Sequence, residues 1–391
     1  MLYPWLEPSW RRVAADRRRI PNAWIILGDD GIGRDEFADE LARALLCDRP
    51  LADGRACGRC RSCALASSGS HPDLVDLLRF VDPVKYGPPA PEFARDPIAR
   101  RPSRKAAPKL APKPGSLAAK AQAKAGAAKS GGFGRAGMAL ATIDGKPPAL
   151  TIDAVRAATS GLLLPTSMGG RRALVVNLAD NLTVEASNAL LKSLEEPPKG
   201  AVFLLLSRNL ERLLPTVVSR CRVEKLPGPD WGGAMDFLRG KAQSEGRAFD
   251  PDAARDFLAF NGGRPLAPDD PAQNAERAAL LDWLQRPFPG SAPDLAERCG
   301  AAAGGPGLAE FCDWLAKWLC DAVAVGAGMG AVFYPGRLEA IRAIASIADP
   351  VDLFGLADRV ALTRRFGSTA LSAKMQVESM LIDYLKIVGR L

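Results

Sequence analysis

Histidine is nearly absent: His71 is the only one in 391 residues. Long apolar runs are missing too, since "AWIIL" (23–27) and "VFLLL" (202–206) stop after five residues, where a membrane-spanning helix needs ~18. The opening "MLYPWLEPSWRRVAADRRR" lacks the apolar stretch and small-residue cleavage site of a secretory signal, and Asp16 with two prolines argues against a basic presequence. Cytoplasm is therefore the expected compartment, with no membrane partner. Counting alone leaves a Ser-His-Asp triad open, but no Ser-centred G-x-S-x-G elbow accompanies His71. "SHPDL" reads as a turn at the start of a strand. Acidic residues are absent between Arg100 and Arg135, where ten Lys or Arg stand. That segment carries +10 against +8 for the whole chain, so the remainder, at −2, is close to neutral. Net charge thus says little about what the folded surfaces bind.

The charge belongs to a compositional island from residue 83 to about 148, built of Ala, Lys, Pro and Gly. It has too little to bury to offset the entropy of ordering it. It reads as a disordered basic insertion inside a domain, a solvated linker in preference to an electrostatic site for nucleic acid or an acidic partner. Strong patterns flank it. "AWIIL" reads as a buried strand entering a glycine loop, and Phe37, Leu41, Ala44 and Leu45 share one face of the helix that follows. Beyond the island, Thr151 caps a helix and "RALVV" (172–176) is a strand. "VEASNALLKSLEEPP" is a helix stopped by Pro197 and Pro198, and "AVFLLLS" (201–207) and "CRVEKL" (221–226) are further strands. Apolar strands alternating with helices predict an α/β domain with a parallel sheet covered on both faces. From "WGGAMDFLRGKAQ" onward only helical periodicity remains. The expected organisation is an α/β domain over 1–228, a helical lid over 229–269 and a helical domain over 270–391.

Four of the eight cysteines, Cys47, Cys57, Cys60 and Cys63, fall in "CDRPLADGRACGRCRSC". Two overlapping C-x-x-C steps turn backbone amides toward the thiolates, and Cys47 at the end of the preceding helix closes a tetrahedron. In a reducing compartment this spacing favours structural zinc over disulfides. Iron–sulfur ligation and free thiols are the rivals; Ser67 stands where the bacterial ferredoxin spacing places a fourth Cys. Four protein ligands leave no open position, so the metal would hold a loop at 47–63 and do no chemistry. Cys221, Cys299, Cys312 and Cys320 are isolated, the last two reading as core packing on an apolar helical face.

The loop after the first strand carries Gly28, Gly31 and Gly33 with phosphate-loop spacing, but Arg34 and Asp35 replace the Lys and the Ser or Thr that reach phosphate and magnesium. Arg34 changes the cation's size and donor geometry, and Asp35 puts a carboxylate where phosphate oxygens belong. The strand that would end in a magnesium-binding Asp and a catalytic Glu reads "ALVVNLADNL", with Asn177 and Leu178 there and Asp180 three residues late. Two damaged halves of one site predict a nucleotide-binding fold without hydrolysis and leave nucleotide binding open.

"SNALLKSLEEPP" (187–198) and "FLLLSRNLERLLPTVVSRC" (203–221) resemble the clamp-loader branch of the AAA+ ATPases, over about 10–82 and 149–265. The four-cysteine insertion narrows the likeness to the clamp-loader subunits of bacterial DNA polymerase III. The broken phosphate loop beside an intact S-R-C resembles their non-hydrolysing type, unlike the ATP-hydrolysing gamma/tau type. The resemblance implies a P-loop type sheet with a zinc-binding insertion, a helical lid and an all-helical collar for oligomerisation. It also implies a stator in a five-membered ring with gamma/tau and delta subunits, acting on the sliding clamp and primed DNA. Arg220 would enter the ATP site of a neighbouring gamma/tau subunit, with Ser219 and Cys221 positioning it, and Glu195 and Glu196 would lie at the subunit junction. Polymerase activity would belong to the complete holoenzyme. Two rivals remain: a weakly active gamma/tau-like ATPase, and a zinc-stabilised adaptor binding nucleic acid through the basic island.

Overall fold

A strand whose side chains are apolar on both faces is stable only between two layers. The computed structural model, which describes residues 2–14, 20–81, 149–163, 166–168, 170–269, 271–300, 307–366 and 372–389, places five strands in one sheet, three of them of this kind. They are β1 (Ala23–Leu27), β2 (Leu74–Asp76), β3 (Arg172–Val176), β4 (Ala201–Ser207) and β5 (Arg222–Lys225). All pairings are parallel, in the order β2-β3-β4-β1-β5. The basic island read at 83–148 lies outside the described residues.

Alternate residues of each strand enter different cores, as the two-residue period of a pleated strand requires. Trp24 and Ile26 of β1 join Leu204 and Leu206 of β4 beneath α1 (Glu7–Ala14) and α2 (Arg34–Leu46), where Trp10, Phe37 and Leu41 are buried. Ala23 and Ile25 join Phe203 and Leu205 on the opposite face, covered by α4 (Ile152–Leu162) and α5 (Val184–Glu195) through Val155 and Leu190. Between α2 and β2 lie the cysteine loop and the short α3 (Arg61–Ser67); a single turn, α6 (Pro215–Val218), precedes β5. Thr151 stands at the N-cap of α4 without a side-chain hydrogen bond, whereas Thr183 caps α5 by accepting from the Ala186 amide. Strand β2 is the element least visible in the sequence. Only three residues long, it pairs with β3 alone, and "SHPDL" leads into it.

The chain divides into two units, Met1–Gly228 and Pro229–Leu391. The described residues of the second unit form helices only: α7 (Trp231–Ser244), α8 (Pro251–Phe260), α9 (Pro271–Gln285), α10 (Ala292–Gly300), α11 (Leu308–Gly326), α12 (Leu338–Ala345), α13 (Pro350–Phe366) and α14 (Ala373–Ile387). Their core gathers Leu284, Phe311, Leu315, Trp318, Ile341, Leu381 and Tyr384. The buried Tyr384 hydroxyl accepts from Trp318 Nε1 at 3.0 Å and donates to the Leu284 carbonyl at 2.8 Å, satisfying both ends of an otherwise costly polar group. Buried Asp321 accepts the amides of Val332, Phe333 and Tyr334 and so fixes the turn after α11. One sequence expectation is corrected: Cys312 is buried but Cys320 is exposed. Eight positions carry a side chain about 80° round a helix, far enough to leave the apolar face.

A buried ion pair closes the edge of the sheet. Arg172 at the start of β3 directs Nη2 and Nε to Asp73 Oδ1 at 2.7 and 3.1 Å, and the amides of Ser167 and Met168 donate to the same carboxylate at 2.9 and 3.0 Å. Burial alone would raise the Asp73 carboxyl, but the Ser167 amide, the Arg172 guanidinium and the Met168 amide overcome it and hold the group below its ordinary value. A carboxyl depressed in the folded state stabilises fully above the unfolded value of about 3.9, and the contribution disappears as pH falls through the folded value. The melting temperature is therefore expected to fall below about pH 4. Asp73→Asn is expected to lower it at pH 7 and to flatten the acid limb; acid limbs that run parallel in wild type and variant overturn this assignment.

Candidate functional site

The glycine loop joins β1 to α2. Gly28 donates its amide to the Ser207 carbonyl at 3.1 Å, which ties the loop to the end of β4. Gly31 and Gly33 have φ of 84° and 92°, the left-handed region that an L side chain avoids. A Cβ on Gly33 would also fall 2.5 Å from the ring of Tyr3. Tyr3 stacks on Trp5, whose indole N–H donates to the Ile32 carbonyl at 2.7 Å, so the N-terminal segment is fastened onto the loop.

Arg34 fills the loop from inside. Its buried guanidinium donates to the Gly28 carbonyl at 2.9 Å, to Asp30 Oδ1 at 2.8 Å and to Asp35 Oδ1 at 3.1 Å. A phosphate needs free N–H donors and a free cation at this place. Here the cation is bound by one carbonyl and two carboxylates of its own loop. Burial raises the Asp35 carboxyl, with the Arg34 charge opposing it. The network continues across β4: Arg208 reaches Asp30 Oδ2 at 3.2 Å and Asp180 Oδ2 at 3.3 Å. Asp180 also accepts the Ser207 hydroxyl at 2.6 Å and the Arg208 amide at 2.9 Å. Burial alone would raise Asp180, but these donors hold it low, so its oxygens are committed to the β4 terminus. At the end of β3 the buried Asn177 lies against Asp76, with Nδ2 3.4 Å from Oδ1, and Leu178 takes the left-handed φ of 56°. Asp30, Ser207 and Arg208 are members that the sequence reading did not single out. An acid inside the loop beside Arg34, and a second arginine at the neighbouring strand end, were the available signals.

The cysteines meet at the end of α2. Cys47 Sγ lies 3.9 Å from Cys60 Sγ, Cys57 Sγ lies 3.9 Å from Cys63 Sγ, and all four sulfurs fall within 4.8 Å of one another. A tetrahedral thiolate site with metal–sulfur bonds of about 2.3 Å has edges of about 3.8 Å. Four amides aim at sulfur: Cys57 N at Cys47, Arg59 N and Cys60 N at Cys57, and Cys63 N at Cys60, at 3.3 to 3.5 Å. The Arg59 and Cys60 amides bring the Cys57 thiol down to about 6, while burial raises Cys47 and Cys63. The set can hold a metal ion. The loop is anchored to α1, where Trp10 Nε1 donates to the Asp53 carbonyl at 3.0 Å and Arg55 pairs with Glu7.

Arg220 lies between α6 and β5. Nη1 donates to the Thr216 carbonyl at 2.9 Å and to Ser219 Oγ at 3.3 Å, and Nη2 meets Glu195 Oε1. The "SRC" and "SLEEPP" segments are thus brought together, both ends of the ion pair partly exposed. Burial pushes the Cys221 thiol up to about 11. Among the described residues, Arg220 shares no hydrogen bond with the glycine loop.

The parallel five-stranded sheet, the glycine loop after β1 and the flanking helices define an α/β protein with a phosphate-loop-like turn. A family model described as "DNA polymerase III, delta subunit" matches residues 10–230, more than half of the chain. DNA polymerase III subunit delta' of Pseudomonas aeruginosa is 29% identical over 265 residues, covering 68% of this chain and 60% of that protein. The subunit delta' of Escherichia coli K12 is 30% identical over 238 residues, covering 60% of this chain and 52% of that protein. A crystal structure titled as a DNA polymerase III gamma subunit-related protein from Thermotoga maritima covers 61% of this chain and 80% of its own, with 19% identity and a TM-score of 0.31. The chain belongs to the family of DNA polymerase III delta prime subunits. The alignments span 60% and 52% of the length of the two curated relatives. Among the described residues no helix is long and apolar enough to cross a membrane.

Because Arg34 satisfies a carbonyl and two carboxylates at once, Arg34→Ala removes that cation from the Gly28 carbonyl and Asp35 and leaves Asp30 with Arg208. Unfolding in urea is expected to reveal a loss of about 2 kcal/mol, less than for a wholly buried pair because Asp30 keeps contact with water. A change below about 0.5 kcal/mol, the size of an ordinary surface substitution, overturns the filled-loop account.

Proposed function

We propose that this chain is a non-hydrolysing stator of the DNA polymerase III clamp loader, supplying Arg220 in trans to the ATP site of an adjoining gamma/tau subunit. The observation that carries this reading is the Arg34 guanidinium occupying its own phosphate loop. A site in which the cation is bound internally, and in which Asn177 and Leu178 stand where metal and water would be positioned, lacks the means of phosphoryl transfer. The same loop disfavours the rival weak ATPase. Subunits of the family's ring, gamma/tau and delta, are the proposed partners, with the sliding clamp and primed DNA engaged by the assembled complex. Residues 229–269 take the lid role and 270–391 the collar role.

Arg220 suits a finger in trans for a physical reason. A planar delocalised guanidinium can stabilise charge spread over transferring phosphoryl oxygens. Its present partner Glu195 is a half-exposed carboxylate, and such surface pairs are worth at most about 1 kcal/mol. Exchange of Glu195 for a phosphate in a desolvated junction is then downhill. Ser219 and Cys221 flank the arginine and orient the turn. In a loader reconstituted with gamma/tau and delta, Arg220→Ala is expected to slow ATP hydrolysis by at least tenfold with ring assembly intact by gel filtration; unchanged turnover overturns the finger assignment.

For the cysteine knuckle we propose structural zinc held by Cys47, Cys57, Cys60 and Cys63. With four protein ligands the ion would fasten the loop to α2 and accept no substrate. Elemental analysis of the purified chain is expected to give one zinc per molecule, and Cys57→Ser to lose it; iron in its place, or no metal at all, sinks this assignment.

A further inference from the structure

The only histidine lies beside the metal knuckle without being one of its ligands. His71 is buried, and its Nδ1 accepts the Asp73 amide at 3.1 Å. Its Nε2 lies 2.9 Å from Ser62 Oγ, and Ser62 Oγ donates to the Leu46 carbonyl at 2.6 Å. A hydroxyl has one proton. Since Ser62 spends it on Leu46, it accepts at His71, which fixes the neutral tautomer carrying hydrogen on Nε2. The chain of donors therefore runs in one direction: Asp73 N–H to His71, His71 N–H to Ser62, Ser62 O–H to Leu46.

Each end of that chain touches something the metal site needs. Leu46 is the last residue of α2, and its carbonyl is one of those a helix terminus leaves without an internal partner. The next residue is Cys47. Ser62 lies inside the C-x-x-C step between Cys60 and Cys63, on the first turn of α3. The hydroxyl thus clamps the helix that delivers Cys47 against the turn that delivers the other three sulfurs. At the far end Asp73 gives its carboxylate to Arg172 and its carbonyl to the Ala173 amide at 2.9 Å, both on β3.

We propose that His71 is a positioning residue for the metal knuckle, holding Cys47 in register with Cys57, Cys60 and Cys63 through Ser62 and coupling that site to the β2–β3 edge through Asp73. The proposal rests on the zinc reading above. Loss of a group that orients a metal's own ligands costs about 10–100-fold in metal affinity. Gln at position 71 retains an amide N–H able to reach Ser62, whereas Ala retains none.

The test uses the full chain loaded with zinc, and follows metal transfer to a chromogenic chelator. His71→Ala and Ser62→Ala are expected to release zinc at least tenfold faster than wild type, with His71→Gln close to wild type. Leu190→Ala, a core truncation on the other face of the sheet, controls for general loss of stability and is expected to leave release unchanged. Cobalt substituted into the same variants gives a second readout, with an altered thiolate-to-metal charge-transfer band expected for His71→Ala and a wild-type band for His71→Gln. Wild-type release rates in His71→Ala and Ser62→Ala overturn the proposal, as does acceleration by Leu190→Ala equal to theirs. A wild-type chain that binds no metal overturns the zinc reading itself, and is told apart because no variant is then needed to see it.

Discussion

The buried pair of Arg172 and Asp73 is the constraint on which one whole side of the molecule depends. The two residues stand 99 positions apart, either side of the basic island, and their contact closes that span at the sheet edge. The entropy of bringing two residues together grows only as the logarithm of their separation, so that separation is not the decisive cost. What matters is that the residues either side of it find each other. Asp73 provides this by collecting a guanidinium and two amides in an enclosed site. Its neighbours then have fixed places: His71 facing the cysteine knuckle, and Leu74 to Asp76 paired with Ala173 to Val175.

A comparable economy governs the glycine loop. The left-handed Gly31 and Gly33 keep the backbone turn that a phosphate would require. A buried carbonyl in that turn needs a donor, since an unpaired buried acceptor costs about 1–3 kcal/mol. Arg34 supplies one to the Gly28 carbonyl, and Asp30 and Asp35 keep its charge paired. Arg208 and Asp180 extend the same solution to the end of β4. The loop's place between β1, α2 and the clamped Tyr3–Trp5 segment makes it a brace for the N-terminal core.

Much of this was legible in residue order. The runs at 23–27, 172–176 and 201–207 coincide with β1, β3 and β4 because a strand buried on both faces leaves a continuous apolar signature. The cysteine spacing showed the knuckle, since metal ligation constrains local sequence tightly. Strand β2 was visible only as the start of a strand at "SHPDL", because three residues on one side of a sheet carry too little pattern. The partners of Arg34 were unreadable for a different reason. Asp30 is local, but Arg208 and Asp180 reach the loop only through parallel strand order, which no local periodicity encodes. Cys320 was misplaced because helical spacing does not say how wide the buried stripe is.

The two arginines differ in burial and in how far their partners commit them. Arg34 is buried with two carboxylates and a carbonyl, and removing it would strand several groups at once. Arg220 is partly exposed, held by one carboxylate and a helix carbonyl at the surface. The first arrangement is stable because each of the three guanidinium nitrogens has an internal acceptor and Arg34 itself is buried. The second is readily exchanged, since water or another anion can replace Glu195 with little net change. A buried guanidinium thus serves architecture, and an exposed one stays available to a partner. Burial, more than residue type, separates the two: Arg34 is committed to its own loop, and Arg220 to a surface ion pair.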